Sequence, residues 1–235
     1  MSEIKASLII VALNEIEGLK VTIAGINSQK KYLHEIIYVD GGSVDGSIEF
    51  SKRQKEWKII VQGEGNKGAL NGLKIGVENS TGSHIIFFSP DNNCIPEKIE
   101  EIVKNFKAGY DFVKVSRYYK GSKSYDDTII TGFGNFLFSF IVRLIYGAKC
   151  TDALNIYYGL KKSLFYDLKI NFKNTAINTE VTIKVHVNKV KYTDIGGDEP
   201  MRAGGVSKRP IIYHGIMELF TIIKFIGLLF KNKKN

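Results

Sequence analysis

Apolar residues in the first half of the chain fall in short unbroken runs, and between the runs apolar positions recur with helical spacing. Residues 7–13, 36–40, 57–62, 84–89 and 111–116 read as strands too apolar to keep one face in water. Helical patterns cover 17–29, 45–54, 68–79 and 96–106, the last with proline in its first turn. This alternation predicts an α/β fold, a mostly parallel sheet with helices on both faces.

The pattern changes in the second half. Residues 128–146 are nearly all apolar, and Thr131, Asn135, Ser139 and Arg143 recur every fourth residue as one narrow polar stripe. A buried core helix fits this pattern, and so does a helix in a membrane interface with its stripe turned to the protein. Residues 211–230 are long enough to span a bilayer, but His214, Glu218 and Lys224 interrupt them. Each charge at mid-membrane costs roughly 2.5–3.5 kcal/mol. The segment therefore reads as an in-plane amphipathic helix. The expected organisation is one domain over 1–210, with a nucleotide-sugar half (1–120) and an acceptor half (121–210). A membrane-associating helix with a basic tail follows over 211–235.

Composition narrows the partners. With 44% hydrophobic and 11% aromatic residues the chain can fill a core. Cys94 and Cys150 form neither a metal spacing nor a disulfide framework, as expected in a reducing cytosol. The charged N-terminus leads straight into a strand, so no signal peptide is expected. Lys plus Arg exceed Asp plus Glu by 33 to 24, and the resulting +9 calls for an anionic partner. Lys208-Arg209 and the tail lysines Lys231, Lys233 and Lys234 bracket the apolar segment 211–230. That placement favours an anionic membrane surface, about 1 kcal/mol per lysine. No nucleic-acid recognition module is visible, so nucleic acid is not an expected partner.

Candidate chemistry lies where strands end, because open α/β sheets bind ligands beyond their carboxyl ends. One apolar run ends in Asp40-Gly41-Gly42-Ser43, another in Ser89-Pro90-Asp91-Asn92-Asn93. Asn14 and Glu15 follow the first strand to the same edge, where Asp40 is placed to meet the imino edge of a base. Asp91 and Asn93 offer oxygen donors that suit Mg²⁺ or Mn²⁺ rather than zinc. Asn66, Lys67 and Gly68 precede a helix, where backbone amides and a lysine meet phosphate. Together these point to nucleotide-diphosphate chemistry.

The set resembles family 2 glycosyltransferases of GT-A fold, through Leu13-Asn14-Glu15, Val39 to Ser47, Asn66-Lys67-Gly68, and Ser89 to Asn93 followed by Pro96-Glu97. Ser116-Arg117-Tyr118, Thr151-Asp152 and Arg202-Ala203-Gly204-Gly205-Val206-Ser207-Lys208 resemble the dolichyl-phosphate mannosyltransferase branch. The resemblance implies a metal-dependent, inverting transfer from a nucleotide diphosphate sugar to a lipid-linked acceptor of polyprenyl phosphate type. It places the enzyme peripherally on the cytosolic face of a membrane. Transfer to a hydroxyl of a lipid-linked or cell-surface glycan is the alternative, as is a catalytically impaired nucleotide-sugar-binding subunit. By the same resemblance Glu15 and Asp40 contact the nucleotide, Asp91 and Asn93 hold the metal, and Arg117, Arg202 and Lys208, with Ser207 in the same glycine-rich loop, meet phosphates. Asp152 and Glu180 are the candidate bases for a hydroxyl acceptor. The chain departs from the family at Ser89 (the first Asp of the Asp-x-Asp triplet), at Gly41 (the second Asp of Val-Asp-Asp-Gly) and at Tyr158 (an expected Arg). Asp126 and Asp127 replace basic residues before the apolar helix.

Overall fold

The computed structural model describes residues 3–65, 67–171, 175–204 and 210–231. Its first half alternates β1 (Ala6–Ala12), α1 (Ile16–Ser28), β2 (Glu35–Asp40), α2 (Ser47–Lys52), β3 (Trp57–Val61), α3 (Ala69–Glu78), β4 (His84–Phe88), α4 (Lys98–Lys107) and β5 (Phe112–Ser116). The second half adds α5 (Ile129–Tyr146), β6 (Tyr158–Lys161), α6 (Lys162–Asp167), α7 (Ile177–Val187), β7 (Tyr192–Gly196), α8 (Ile211–Lys224) and α9 (Gly227–Lys231). One seven-stranded sheet results, in the order β3-β2-β1-β4-β6-β5-β7. It is parallel except at β6, which runs antiparallel between β4 and β5.

Alternate residues of each strand enter opposite layers, which is why the strands read as unbroken apolar runs. Leu8 and Ile10 pack with Leu19 and Ile26 of α1 and with Ile99, Ile102 and Phe106 of α4. Ile9, Ile85 and Phe87 pack on the other face with Leu73 and Val77 of α3 and Val181 and Val185 of α7. Tyr158 lies in β6, fully buried between Phe87 and Phe112, with both ring centroids 5.3 Å away. Its departure from the family's Arg is thus a core substitution in this chain.

A third cluster joins α5, α7 and α8 through Val142, Tyr146, Ile183 and Ile222. Asn135 and Ser139 of the α5 polar stripe turn inward, whereas Arg143 at its end is exposed. Asn135 donates to the Asp127 carboxylate and the Tyr118 hydroxyl, and Ser139 Oγ accepts from the Ala153 amide. Thr128 and Thr131 close the helix start as a reciprocal capping box. The opposite side of α5 leaves Ile129, Ile130, Phe133, Phe136 and Leu144 exposed. Glu218 of α8 is buried while Ile212, Ile216 and Phe220 are exposed.

Candidate active site

Three loops meet at the carboxyl edge of β1, β2 and β4. After β1, Asn14 adopts the left-handed region at φ 56, a conformation asparagine tolerates better than most residues. The turn is laced to the loop after β2: the Asn14 amide donates to Ser43 Oγ at 2.8 Å, Asn14 Oδ1 accepts from the Val44 amide at 2.9 Å, and the Ile16 amide donates to Asp45 Oδ2 at 3.0 Å. Asp40 is fully buried. Its Oδ1 accepts from the amides of Gly42 and Ser43, and its Oδ2 from the hydroxyls of Tyr38 and Ser43. In this structure Asp40 builds the turn rather than presenting a carboxylate to the cleft. Lys67 reaches this turn, with its Nζ 3.6 Å from where a side chain on Gly42 would begin. Gly68 is pinned on both sides by the Gln62 amide group. Asn66 lies outside the described residues.

The loop after β4 is held by the segment after β7. Asn92 Nδ2 donates to the Met201 carbonyl, Asn93 Nδ2 to the Pro200 carbonyl, and the Ala203 amide to the Asp91 carbonyl. Arg202 therefore stands over the cleft. Its Nη1 donates to Asp91 Oδ2 at 2.9 Å, its Nη2 to Glu15 Oε1, and its buried Nε makes no hydrogen bond among the described residues. Three residues selected from separate motifs, Glu15, Asp91 and Arg202, thus form one cluster. Ser207 and Lys208 of the same loop lie outside the described residues.

Two cavities open here. One, of about 490 Å³, is lined by Leu13, Glu15, Gly41, Gln62, Gly68, Ser89 and Arg202. The other, of about 580 Å³, runs from Asp91 and Asn93 past Asp126, Asp127 and Glu199 to Ile130, Phe138, Ile211 and Glu218 on α5 and α8. Ser89, Ile156, Thr175, Asn178 and His214 line both cavities and join them.

Arg117, expected on a phosphate, is committed elsewhere. Nε and Nη2 bind Asp152 at 2.7 and 3.0 Å, and Nη1 reaches Glu199 at 3.3 Å. Asp152, expected as a base, is fully buried. Burial alone would push its carboxyl up, but the Arg117 guanidinium outweighs it and holds the group below the usual carboxylate range. Asp152 also accepts from the Leu154 and Asn155 amides. A shielded carboxylate paired this way is a weak base and a strong brace. Glu180, the second expected base, is fully buried on α7, bound to Lys184 at 2.6 Å and to the Asn171 amide, and lines neither cavity. The structure thus places neither expected base in the cleft.

Three site features escaped sequence reading. Gly18 of α1 packs so closely on the β4 loop that a Cβ there would lie 2.2 Å from the Pro90 carbonyl oxygen and 2.7 Å from Asp91 Cα. Glu199 joins Arg117 to Ser124. His214 and Glu218, read only as interruptions of an apolar helix, face the cavities. The i, i+4 spacing of the last pair was the available signal.

The glycosyl transferase family 2 profile matches residues 7–169. The chain belongs to that family. The enzyme is a glycosyltransferase with a nucleotide-sugar GT-A fold. A Methanocaldococcus jannaschii protein, MJ1222, is 27% identical over 196 residues, covering 80% of this chain and 79% of its own length. Undecaprenyl-phosphate 4-deoxy-4-formamido-L-arabinose transferase of Photorhabdus laumondii is 32% identical over 120 residues, 48% of this chain and 37% of that protein. This glycosyltransferase therefore spans only about a third of the length of that larger relative. Glucosyl-3-phosphoglycerate synthase of Mycobacterium tuberculosis, solved with Mn²⁺, UDP and phosphoglyceric acid, shares the fold at a TM-score of 0.70 and 17% identity, over 97% of this chain and 79% of that one.

Proposed function

We propose that this glycosyltransferase moves a sugar from a nucleotide diphosphate sugar to a lipid-linked acceptor that enters from a membrane surface. The observation that carries the reading is the second cavity, which begins at Asp91 and ends between the exposed apolar helices α5 and α8. A lipid chain lying along those helices leads its head group to the donor. The donor occupies the first cavity, its nucleotide over the turn shaped by Asn14, Asp40 and Ser43 and its diphosphate toward Asp91, Lys67 and Arg202.

A divalent ion fits this site only in part. Among the described residues no group of three His, Cys, Asp or Glu is placed to hold one. Asp91 with the Asn93 amide suits Mg²⁺ or Mn²⁺ that takes its remaining ligands from substrate phosphates. The Mn²⁺-bound synthase of the same fold is consistent with that choice. Such an ion would stabilise the negative charge that collects on the departing nucleoside diphosphate. Arg202, already on Asp91 and Glu15, then turns to phosphate oxygens, which its guanidinium fork matches. The Photorhabdus relative, named for an undecaprenyl-phosphate acceptor, supports a lipid-linked acceptor. Transfer to a hydroxyl of a lipid-linked or surface glycan is the second reading, favoured by the carboxylates Asp126, Asp127, Glu199 and Glu218 along the acceptor cavity, which would repel a phosphate.

Asp91→Ala tests the donor site. The variant is expected to lose Mn²⁺-dependent binding of UDP or GDP, read as a ligand-induced rise in Tm, while keeping its fold. Unchanged metal-dependent affinity would refute the assignment of Asp91.

A further inference from the structure

The expected bases are locked in ion pairs away from the cleft, yet the acceptor cavity holds a carboxyl that no cation pairs among the described residues. Glu218 sits in the middle of α8, buried to 8% exposure, and lines the wall of the cavity that starts at Asp91. Its Oε2 is fully enclosed and makes no hydrogen bond among the described residues. Buried polar atoms without partners are rare in native proteins and ask for an explanation. The other carboxylates of this cavity are engaged. Asp91 accepts from Arg202 and the Asn93 amide, Asp126 from the Arg202 amide, Asp127 from Tyr118 and Asn135, and Glu199 from Ser124 and Arg117.

We propose that Glu218 binds the acceptor through a hydroxyl group and takes its proton during transfer. This rests on the donor reading above and narrows the acceptor to an alcohol, a sugar or lipid hydroxyl. The acceptor O–H donates to the cavity side of the Glu218 carboxylate and its oxygen attacks the anomeric carbon. The new C–O bond forms as the bond from that carbon to the diphosphate oxygen breaks. The bonding pair leaves with the nucleoside diphosphate, and the proton passes to Glu218 and then to solvent. His214, one turn earlier on the same helix, lines both cavities and stands between donor and acceptor.

The electrostatics of the pocket agree with this role. Burial pushes the Glu218 carboxyl up to about 7, against smaller downward pulls from the Thr179 hydroxyl and the buried Lys114 ammonium. From the packed elements, α7 presents Thr179 and Asn178, β5 presents Lys114, α5 presents Asn135, and α8 itself adds His214. A base with such a pKa is poised near neutral pH, where proton transfer is most effective. A phosphate acceptor, already an oxyanion, needs no such group and would be repelled by it.

The test uses the full chain with Mn²⁺, a UDP- and GDP-sugar panel, and two soluble probes, octyl β-glucoside and dodecyl phosphate. Release of nucleoside diphosphate and glycosylation of the probe are both measured. Octyl β-glucoside is expected to be glycosylated, with kcat/KM rising as pH passes through about 7. Glu218→Gln is expected to lose at least about 100-fold in kcat and to flatten that rise, and Glu218→Asp to restore part of both. Mn²⁺-dependent UDP or GDP binding and Tm at neutral pH serve as controls, since a purely structural Glu218 would move Tm and leave the pH profile in place. Transfer within about threefold of wild type in Glu218→Gln overturns the assignment. Transfer to dodecyl phosphate alone, or to neither probe while nucleotide binding persists, also overturns it and leaves the donor reading standing. Loss of nucleotide binding in the wild-type protein instead sinks the donor reading first.

Discussion

At the scale of single residues, the site depends on which charged groups are committed and which are available. Arg117 and Asp152 form a bidentate pair, with Asp152 fully buried and Arg117 at the wall of the larger cavity, so each carboxylate and guanidinium contact is already committed in this structure. Arg202 forms the same kind of contacts but at the mouth of the cleft, 24% exposed, with a buried Nε left over. A guanidinium so placed is weakly held and can exchange a carboxylate for a phosphate. Arg202→Ala is therefore expected to lower stability by only about 1 kcal/mol, the range of a partly screened ion pair. It should cut transfer at least tenfold, because a charge-assisted hydrogen bond contributes roughly 1.5–3 kcal/mol. Steady-state kinetics and thermal melts of the same preparation check both. Activity within about twofold of wild type rejects the phosphate role.

At the scale of elements, α5 and α8 carry the exposed apolar surface on which the proposed membrane contact rests. Helix α5 and the stretch Ile211–Phe230, which holds α8 and most of α9, are each long and apolar enough to cross a bilayer by length and composition, with 17% of each span buried. Asn135, Ser139 and Glu218 point at the protein, whereas Arg143 and Lys224 are exposed. Asn135 and Ser139 bond to neighbouring loops, Glu218 is buried, and Lys224 lies over the Phe225 ring. The outward faces, with Ile129 at 93% and Ile212 at 78% exposure, form apolar surface that water disfavours. This supports the reading of helices lying in an interface. Sedimentation with lipid vesicles is expected to carry the protein down more strongly as anionic lipid increases and less strongly as salt rises, since surface attraction is screened beyond about 8–10 Å. Phe133→Glu with Ile216→Glu should abolish sedimentation and leave Tm nearly unchanged. If high salt or alkaline carbonate fails to strip the wild-type protein from membranes, the helices are inserted and the peripheral reading is wrong.

At the scale of the whole molecule, the two halves of the chain are held together by shared strands and by α8. Strand β6 inserts between β4 and β5, so chain from the second half stands inside the sheet of the first. Helix α8 closes the third core cluster through the fully buried Ile222, whose carbonyl accepts from the Tyr146 hydroxyl. It also walls the acceptor cavity. The sequence divides the chain at Pro210, but packing makes α8 part of the fold. Deleting residues after Pro210 is expected to release the protein from membranes and to lower Tm by at least about 4 °C, since burying a single isoleucine contributes roughly 1.5–3 kcal/mol. Metal-dependent nucleotide binding should persist, because Glu15, Asp91 and Arg202 are carried by segments before α8, and His214 is the residue of α8 that lines the donor cavity. A truncated chain that melts within about 1 °C of the full one would show the helix to be an appendage.

The sequence by itself determined the elements of the nucleotide half and the edge where the site lies. Strands buried on both faces must be unbroken apolar runs, and turns that approach a polar ligand must carry Asn, Asp and Gly, so both leave local marks. β6 and β7 left none. Each is short, and β6 is antiparallel, completed by partners more than forty residues away in sequence. The same limit applies to the side chains. Glu15, Asp91 and Arg202 were recognisable one by one, but their contact depends on the path of the chain after β7. Asp152 and Glu180 looked like bases because a carboxylate in a sequence shows its chemistry and not its partner. Only tertiary structure decided that Arg117 and Lys184 neutralise them while Glu218 is left without an ion pair among the described residues. Whether an ionisable group is reactive depends on burial and on charges brought from distant segments, and neither is written in its immediate neighbours.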